Sequence, residues 1–205
     1  MNPLHEFDLS LLSDYDYVCG TDEVGRGCIL GSICSASVIL KPTAAELNIK
    51  DSKKLSEKAR EALYDQIINN SVAYSIQLLD ADAVDTKGIQ YCNRQVMQNS
   101  QKEVQDLLTY NNILFIADGN PLWTAPNVTW IQQGDNKSLS IAAASILAKV
   151  YRDRLLIALD KIYPAYKFAQ HKGYGTKIHY EAIKENGIIE GWHRKTFLKD
   201  ILYGQ

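Results

Sequence analysis

The sequence predicts an α/β protein: a mixed sheet covered by helices, with a helical segment closing the C-terminus. Three observations carry this. β-prone runs come first and mostly in succession, strands then alternate with helical stretches, and the last quarter of the chain reads as helical.

The first strand is expected at residues 17–21, ending abruptly in Asp22-Glu23, and a second, rich in Val and Ile, at residues 33–40 before Lys41-Pro42. Residues 56–68 carry helical periodicity, with Ala59, Leu63 and Ile67 at four-residue spacing and Ser56 as the N-cap. A third strand follows at residues 73–79. Residues 81–110 read as helix broken near Gly88, and residues 113–117 form an apolar strand that delivers Asp118. A further strand is expected at residues 128–132, closed by Gly134-Asp135. The longest helix spans residues 138–163, and the Ala and Ser crowding its first half implies close approach to the sheet. Residues 164–175 read as a loop with aromatic and basic residues, followed by two helical pieces. No repeat, low-complexity tract or linker interrupts the chain.

Composition narrows the function classes. At 205 residues the chain suits one medium-sized domain with a substantial core. No apolar run approaches the roughly 18 to 20 residues a bilayer span needs, and the acidic N-terminus does not read as a signal peptide, so a cytoplasmic location is expected. Cys19, Cys28, Cys34 and Cys92 form no CxxC pair and no zinc spacing, and buried free thiols are expected. A net charge of −2 argues against a protein coated in positive charge but leaves room for a local basic face.

The acids carry the chemistry. Asp22-Glu23, Asp118 and Asp135 each close a short apolar strand, and strand ends are where sites assemble in open α/β sheets. Carboxylates gathered there would repel one another without cations between them, and oxygen clusters suit hard ions such as Mg²⁺. Each acid alone is ordinarily a turn former or helix cap. Adjacent strand residues point to opposite sides, so Asp22 and Glu23 serve one site only if the backbone bends, which Gly25 and Gly27 permit. Residues 22–27 could also be read as a phosphate-cradling loop, but they lack the glycine spacing, and acids at the head would repel phosphate.

An ordered set of motifs then resembles a known family, bacterial ribonuclease HII, the type 2 ribonucleases H. They are Asp22-Glu23-Val24-Gly25-Arg26-Gly27, Asp51-Ser52-Lys53-Lys54-Leu55-Ser56, Ala117-Asp118-Gly119, Gly134-Asp135-Asn136-Lys137-Ser138, the helix at residues 141–153, and His171-Lys172-Gly173-Tyr174-Gly175-Thr176. They span about residues 18–197. Val24 and Thr196 depart from the commoner Ala and Ser. The chain begins about twenty residues before the Asp-Glu pair, which leaves no room for the extra N-terminal domain of the HIII subtype, so HII is preferred.

The resemblance implies an RNase H-like mixed five-stranded sheet flanked by helices with a C-terminal helical segment. It divides the chain into a catalytic core, residues 1–163, and residues 164–205, which complete the substrate-binding face of a single unit. It implies a four-carboxylate site of Asp22, Glu23, Asp118 and Asp135 holding Mg²⁺ or Mn²⁺, two ions in the reacting complex. Asp153 is a rival for the fourth place, with salt bridging as its bland alternative. The implied activity is hydrolysis of the RNA strand of RNA–DNA hybrids, and cutting 5′ of ribonucleotides embedded in duplex DNA, leaving 5′-phosphate and 3′-hydroxyl ends, by a monomer without membrane attachment. Gly25, Arg26 and Gly27 would read 2′-hydroxyls, and Tyr174 would pack on the deoxyribose after the last ribonucleotide. Lys53, Lys54, Lys137, Lys149, Arg152 and Lys172 are candidate phosphate contacts, Lys53 and Lys137 foremost. A branched-DNA resolvase fits Gly25-Arg26-Gly27 and Tyr174 less well, and a non-catalytic nucleic-acid-binding module leaves the acids unexplained.

Overall fold

In the computed structural model, which describes residues 2–47, 49 and 55–204, five strands form one sheet: β1 (Tyr17–Val24), β2 (Ile33–Leu40), β3 (Ser71–Leu79), β4 (Ile113–Asp118) and β5 (Val128–Ile131). Their order is β3-β2-β1-β4-β5, with β1–β2 and β2–β3 antiparallel and β1–β4 and β4–β5 parallel. The expected mixed five-stranded sheet is therefore present.

β1 is longer than the sequence suggested. It runs on through Asp22 and Glu23, which pair with Ala36 and Ser35 of β2. The backbone does not turn at the acid pair, because β2 supplies ladder partners as far as Val24↔Cys34. Pairing with β4, by contrast, stops at Thr21↔Ala117, so Asp22 and Asp118 occupy the next positions on adjacent parallel strands.

Helices cover both faces. On one lies α1 (Pro3–Ser10), α2 (Glu57–Asn69) and the long α5 (Leu139–Ile162); on the other lie α3 (Ala81–Lys87) and α4 (Ile89–Leu107), separated at Gly88. Ser56 caps α2 by accepting from the Ala59 N–H at 3.2 Å, and Ser138 caps α5 by accepting from the Ile141 N–H at 3.1 Å. Ala142, Ala143, Ala144 and Ala148 of α5 are fully buried with Leu63 and Ile67 of α2 and Val38 of β2. Gly20 lets α5 sit close, since a Cβ there would lie 2.1 Å from the Ser140 carbonyl carbon. On the opposite face Thr21, Ser35, Ser37 and Ser100 form a buried hydroxyl network, completed by donation from Ser35 to the Asp22 carbonyl, from Ser100 to the Met97 carbonyl and from Gln101 Nε2 to Thr21.

α1 was not anticipated. Asn2 caps it, and its buried Asp8 reaches α5, accepting from both the N–H and the hydroxyl of Ser140 at 2.8 Å. That places a carboxylate at the positive end of α5. Two further corrections concern loops. Residues 164–175 contain a 3-10 turn at Pro164–Tyr166 and a short helix, α6 (Phe168–His171). Asp135 does not close β5 but lies in a 3-10 turn, Gly134–Asn136, beyond it.

The C-terminal segment, with α7 (Lys177–Asn186) and α8 (Lys199–Tyr203), packs on the loop between β1 and β2. Ile29 and Leu30 share a buried cluster with Leu156, Phe168, Ile183 and Leu198. All four cysteines are buried free thiols, as expected. Among the described residues no helix is long and apolar enough to cross a membrane.

Candidate active site

The alternation of β1 decides where its two acids point. Asp22 follows Gly20 on the α5 side, where the Ser145 side chain hydrogen-bonds it; Glu23 follows Thr21 on the α4 side, where Asn93 Nδ2 lies 3.4 Å from its Oε1. They serve one cleft all the same. Because the β1–β4 ladder stops at Thr21↔Ala117, the end of β1 has no ladder partner on the β4 side, and Asp22, Glu23 and Asp118 line a common cavity of about 310 Å³. A strand that outruns its neighbour does here what a bend was expected to do.

The charges feel one another. Burial pushes the Asp22 carboxyl well above the usual carboxylate range, and the neighbouring Glu23 and Asp118 charges push it further. Glu23 is raised too, first by burial and then by Asp118, with Arg26 pulling the other way. Two of the acids also accept from main-chain donors: Asp22 Oδ1 from the Glu23 N–H at 2.7 Å, and Asp118 Oδ1 from the Gly134 N–H at 2.6 Å. Among the described residues, no three His, Cys, Asp or Glu side chains converge closely enough in this conformation to coordinate an ion. The donor set nonetheless fits a hard divalent cation: it is all oxygen, and its acids repel one another until a cation sits among them.

Asp135 is buried and does not line the cleft. It stands next to Gly134, whose N–H binds Asp118, and accepts from Asn136 Nδ2 at 3.1 Å. The structure thus brings together Asp22, Glu23 and Asp118, with Asp135 one residue behind. Its rival Asp153 forms a salt bridge with Lys149 at 2.9 Å, the bland alternative.

Gly25, Arg26, Gly27 and Tyr174 line the same cavity, and Cys28 forms a β-bridge with Tyr174. Gly25 has φ +91°, a left-handed conformation that favours glycine, and a Cβ there would strike Arg152 at 2.5 Å. A Cβ at Gly27 would meet open space, leaving that side accessible to a ligand. Tyr174 is 41% exposed, with Lys149 Nζ 5.7 Å from its ring centroid.

The basic candidates separate. Lys149 lines the cleft, and Lys137 is exposed outside it. Lys53 and Lys54 lie outside the described residues. Arg152 is not a phosphate contact: it is 1% exposed and donates to the carbonyls of Ser32, Leu30 and Lys172, each at 2.9 Å. Lys172 is turned inward, bonded to the Ala169 carbonyl and paired with Glu57 at 3.3 Å. Two lining residues escaped sequence reading, Arg60 of α2 and Ser145 of α5. Arg60 stands on an unremarkable helix face, and Ser145 was absorbed into a small-residue run that reads as packing.

The chain matches the family described as Ribonuclease HII over residues 19–199. It is 47% identical to the ribonuclease HII of Fusobacterium nucleatum over 98% of this chain and 93% of that protein. It is 43% identical to that of Alkaliphilus metalliredigens over 92% and 93%. Among solved structures it superimposes on RNase HII from a PCNA complex of Archaeoglobus fulgidus with a TM-score of 0.71, 23% identity, covering 86% of this chain and 93% of that one. A Bst-RNase HIII in complex with Mn²⁺ gives 0.72 at 16% identity, covering 97% and 73%. These two show likeness of fold, an RNase H-like sheet with flanking helices.

Proposed function

The chain belongs to the ribonuclease HII family and is a ribonuclease H, and from that premise we propose that it cuts the RNA strand of RNA–DNA hybrids and nicks duplex DNA 5′ of embedded ribonucleotides, leaving 5′-phosphate and 3′-hydroxyl ends. The observation that carries the reading is the joint lining of one cleft by Asp22, Glu23 and Asp118 with Gly25, Arg26, Gly27 and Tyr174. Acids suited to divalent ions face a loop suited to close approach of a ribose.

Asp22, Glu23, Asp118 and Asp135 are proposed as the ligands of Mg²⁺ or Mn²⁺. Two bound ions would supply Lewis-acid charge to the attacking water and to the leaving 3′-oxygen of an in-line displacement. The protein's own groups do the rest. Main-chain groups of residues 25–27 read the ribose 2′-hydroxyl, which distinguishes RNA from DNA. The Tyr174 ring packs on the following deoxyribose, and Lys149, Lys137 and Lys53 meet phosphates.

In this reading residues 1–163 are the catalytic core and residues 164–205 complete the substrate face, the whole acting as a cytoplasmic monomer. The bridges Cys28↔Tyr174 and Leu30↔His193 support treating both parts as one unit. The test is a DNA duplex bearing one ribonucleotide, incubated with Mg²⁺ or Mn²⁺. A single nick 5′ of the ribonucleotide is expected, and no nick with either ion would refute the proposal.

A further inference from the structure

The loop at residues 25–28 has no regular secondary structure, yet its carbonyls converge on one buried cation. Arg194 Nη1 donates to the Gly25 carbonyl at 2.7 Å, to Cys28 at 2.9 Å and to Arg26 at 3.3 Å. Its Nε and Nη2 donate to the Gly31 carbonyl at 3.0 and 2.8 Å. Arg194 is fully buried, and among the described residues its hydrogen bonds all go to main-chain carbonyls and it forms no ion pair. Burial lowers its pKa to about 10, so it stays cationic at neutral pH. A buried guanidinium is costly to desolvate and is a poor way merely to fill space. Its planar fork suits holding several acceptors in fixed geometry.

The direction of the pull matters. In a trans peptide the N–H points opposite to the carbonyl. Drawing the Gly25 and Arg26 carbonyls inward turns the N–H groups of Arg26 and Gly27 outward, and both residues line the cleft. The same short stretch is tied to Tyr174. Cys28 bridges Tyr174, the Ile29 N–H donates to the Gly173 carbonyl at 3.0 Å, and the Arg194 N–H donates to the Ile29 carbonyl at 2.9 Å.

We infer that Arg194 is a positioning residue, whose guanidinium sets the loop of residues 25–28 in register with Tyr174 so that both meet substrate as one rigid unit. This deepens the reading above and rests on it. Misplacement of a substrate-aligning group by about 1 Å costs up to roughly a hundredfold in rate. Arg194 touches no substrate, so its loss should appear in kcat more than in KM.

The test compares Arg194→Lys, which keeps the charge but cannot span Gly25, Cys28 and Gly31 together, with Ile183→Ala. The latter weakens the same C-terminal cluster but makes none of the Arg194 hydrogen bonds to residues 25–28. Steady-state kinetics are measured on duplex DNA with one ribonucleotide, at temperatures where both variants are equally folded, alongside hydrogen exchange of the Cys28 and Ile29 amides, which donate to the Gly25 and Gly173 carbonyls. Arg194→Lys is expected to lose on the order of ten- to a hundredfold in kcat with KM within about twofold, and to exchange faster in the loop. Ile183→Ala should keep the wild-type kcat and loop protection. Wild-type kcat or unchanged loop exchange in Arg194→Lys would overturn the inference, as would an equal kcat loss in Ile183→Ala. If the lysine variant does not fold, Asp85→Asn replaces it: Asp85 anchors the neighbouring Lys195 and Thr196 N–H groups at 2.7 and 3.0 Å, and loosening them should move kcat and exchange the same way. A wild-type enzyme that leaves the ribonucleotide duplex intact refutes the substrate, while the exchange comparison still decides the role of Arg194.

Discussion

Gly20 of β1 lies under the backbone of Ser140 at the start of α5, so near that a methyl group on Gly20 would sit 2.1 Å from the Ser140 carbonyl carbon. Neither partner can yield cheaply, because one is a central strand and the other a capped helix start. Gly20→Ala should therefore destabilise the protein by about 3 kcal/mol or more. Urea denaturation measures this; a loss below about 1 kcal/mol would mean that α5 is free to shift.

Asp118 ends β4 beside Asp22 and binds the Gly134 N–H at 2.6 Å. Asparagine preserves the size and can keep that bond while removing the charge. Asp118→Asn should lower single-turnover cleavage by about a hundred- to a thousandfold, an effect of the size seen when a principal charge-stabilising group is lost. Binding to an RNA–DNA hybrid should stay within a few-fold. Near-normal cleavage would rule Asp118 out as an ion ligand.

Asp22 offers a stability test of opposite sign. Its carboxyl is raised by burial and by Glu23, so the folded state holds the proton more tightly than the unfolded chain does. Ionised Asp22 thus weakens the metal-free fold once pH exceeds its ordinary value, and stability is gained as pH falls. Asp22→Asn should raise the melting temperature in chelator at pH 8 and abolish cleavage. It should also remove most of the thermal shift that Mg²⁺ or Mn²⁺ gives the wild type. A lower melting temperature in chelator would contradict this account.

Tyr174 presents its ring to the cleft beside residues 25–27. Tyr174→Ala should weaken cutting at an isolated ribonucleotide more than cutting of a uniform hybrid, by roughly tenfold in the ratio, the scale of one lost stacking contact. Equal losses on both substrates would show that the ring does not read the junction.

His179 and His193 face each other Nε2 to Nε2 at 3.2 Å. The Tyr174 carbonyl fixes a proton on His179 Nδ1, and the Ile189 N–H requires His193 Nδ1 to accept, so the pair is satisfied only when both rings are neutral. Burial lowers their pKa values to about 3 and about 4. The unfolded chain takes up these protons near pH 6.5, so stability is full above that pH and falls as pH drops towards 4. The slope should reach up to about 1.4 kcal/mol per pH unit for each ring. Denaturation between pH 7.5 and 4.5 measures it, and His193→Gln should flatten the curve. No pH dependence in the wild type would refute the neutral pair.

Most of the layer order was legible from the sequence because β2 and β4 are runs rich in apolar residues and α5 is a long helical stretch that starts at the Ser138 cap. α1 was missed since its eight residues bury little beyond Asp8, whose role depends on Ser140, far along the chain. The acids stood out, yet the means by which Asp22 and Glu23 share a cleft did not. That depends on β4 ending one residue after Ala117 while β2 continues to pair, a comparison between strands that no local pattern contains. Arg152 looked like a phosphate contact because a cation beside a basic helix stretch usually is exposed; only packing shows it clasping Leu30, Ser32 and Lys172. Arg60 and Ser145 lay on helix faces whose orientation follows from tertiary packing alone.

The hydrogen bond from Arg194 to Gly25 joins residues 169 positions apart in sequence. A ribosome making this protein releases Asp22, Glu23 and Asp118 long before it adds the arginine that shapes the loop beside them. A half-made chain therefore carries all three acids but not the side chain that gathers the carbonyls of Gly25, Cys28 and Gly31.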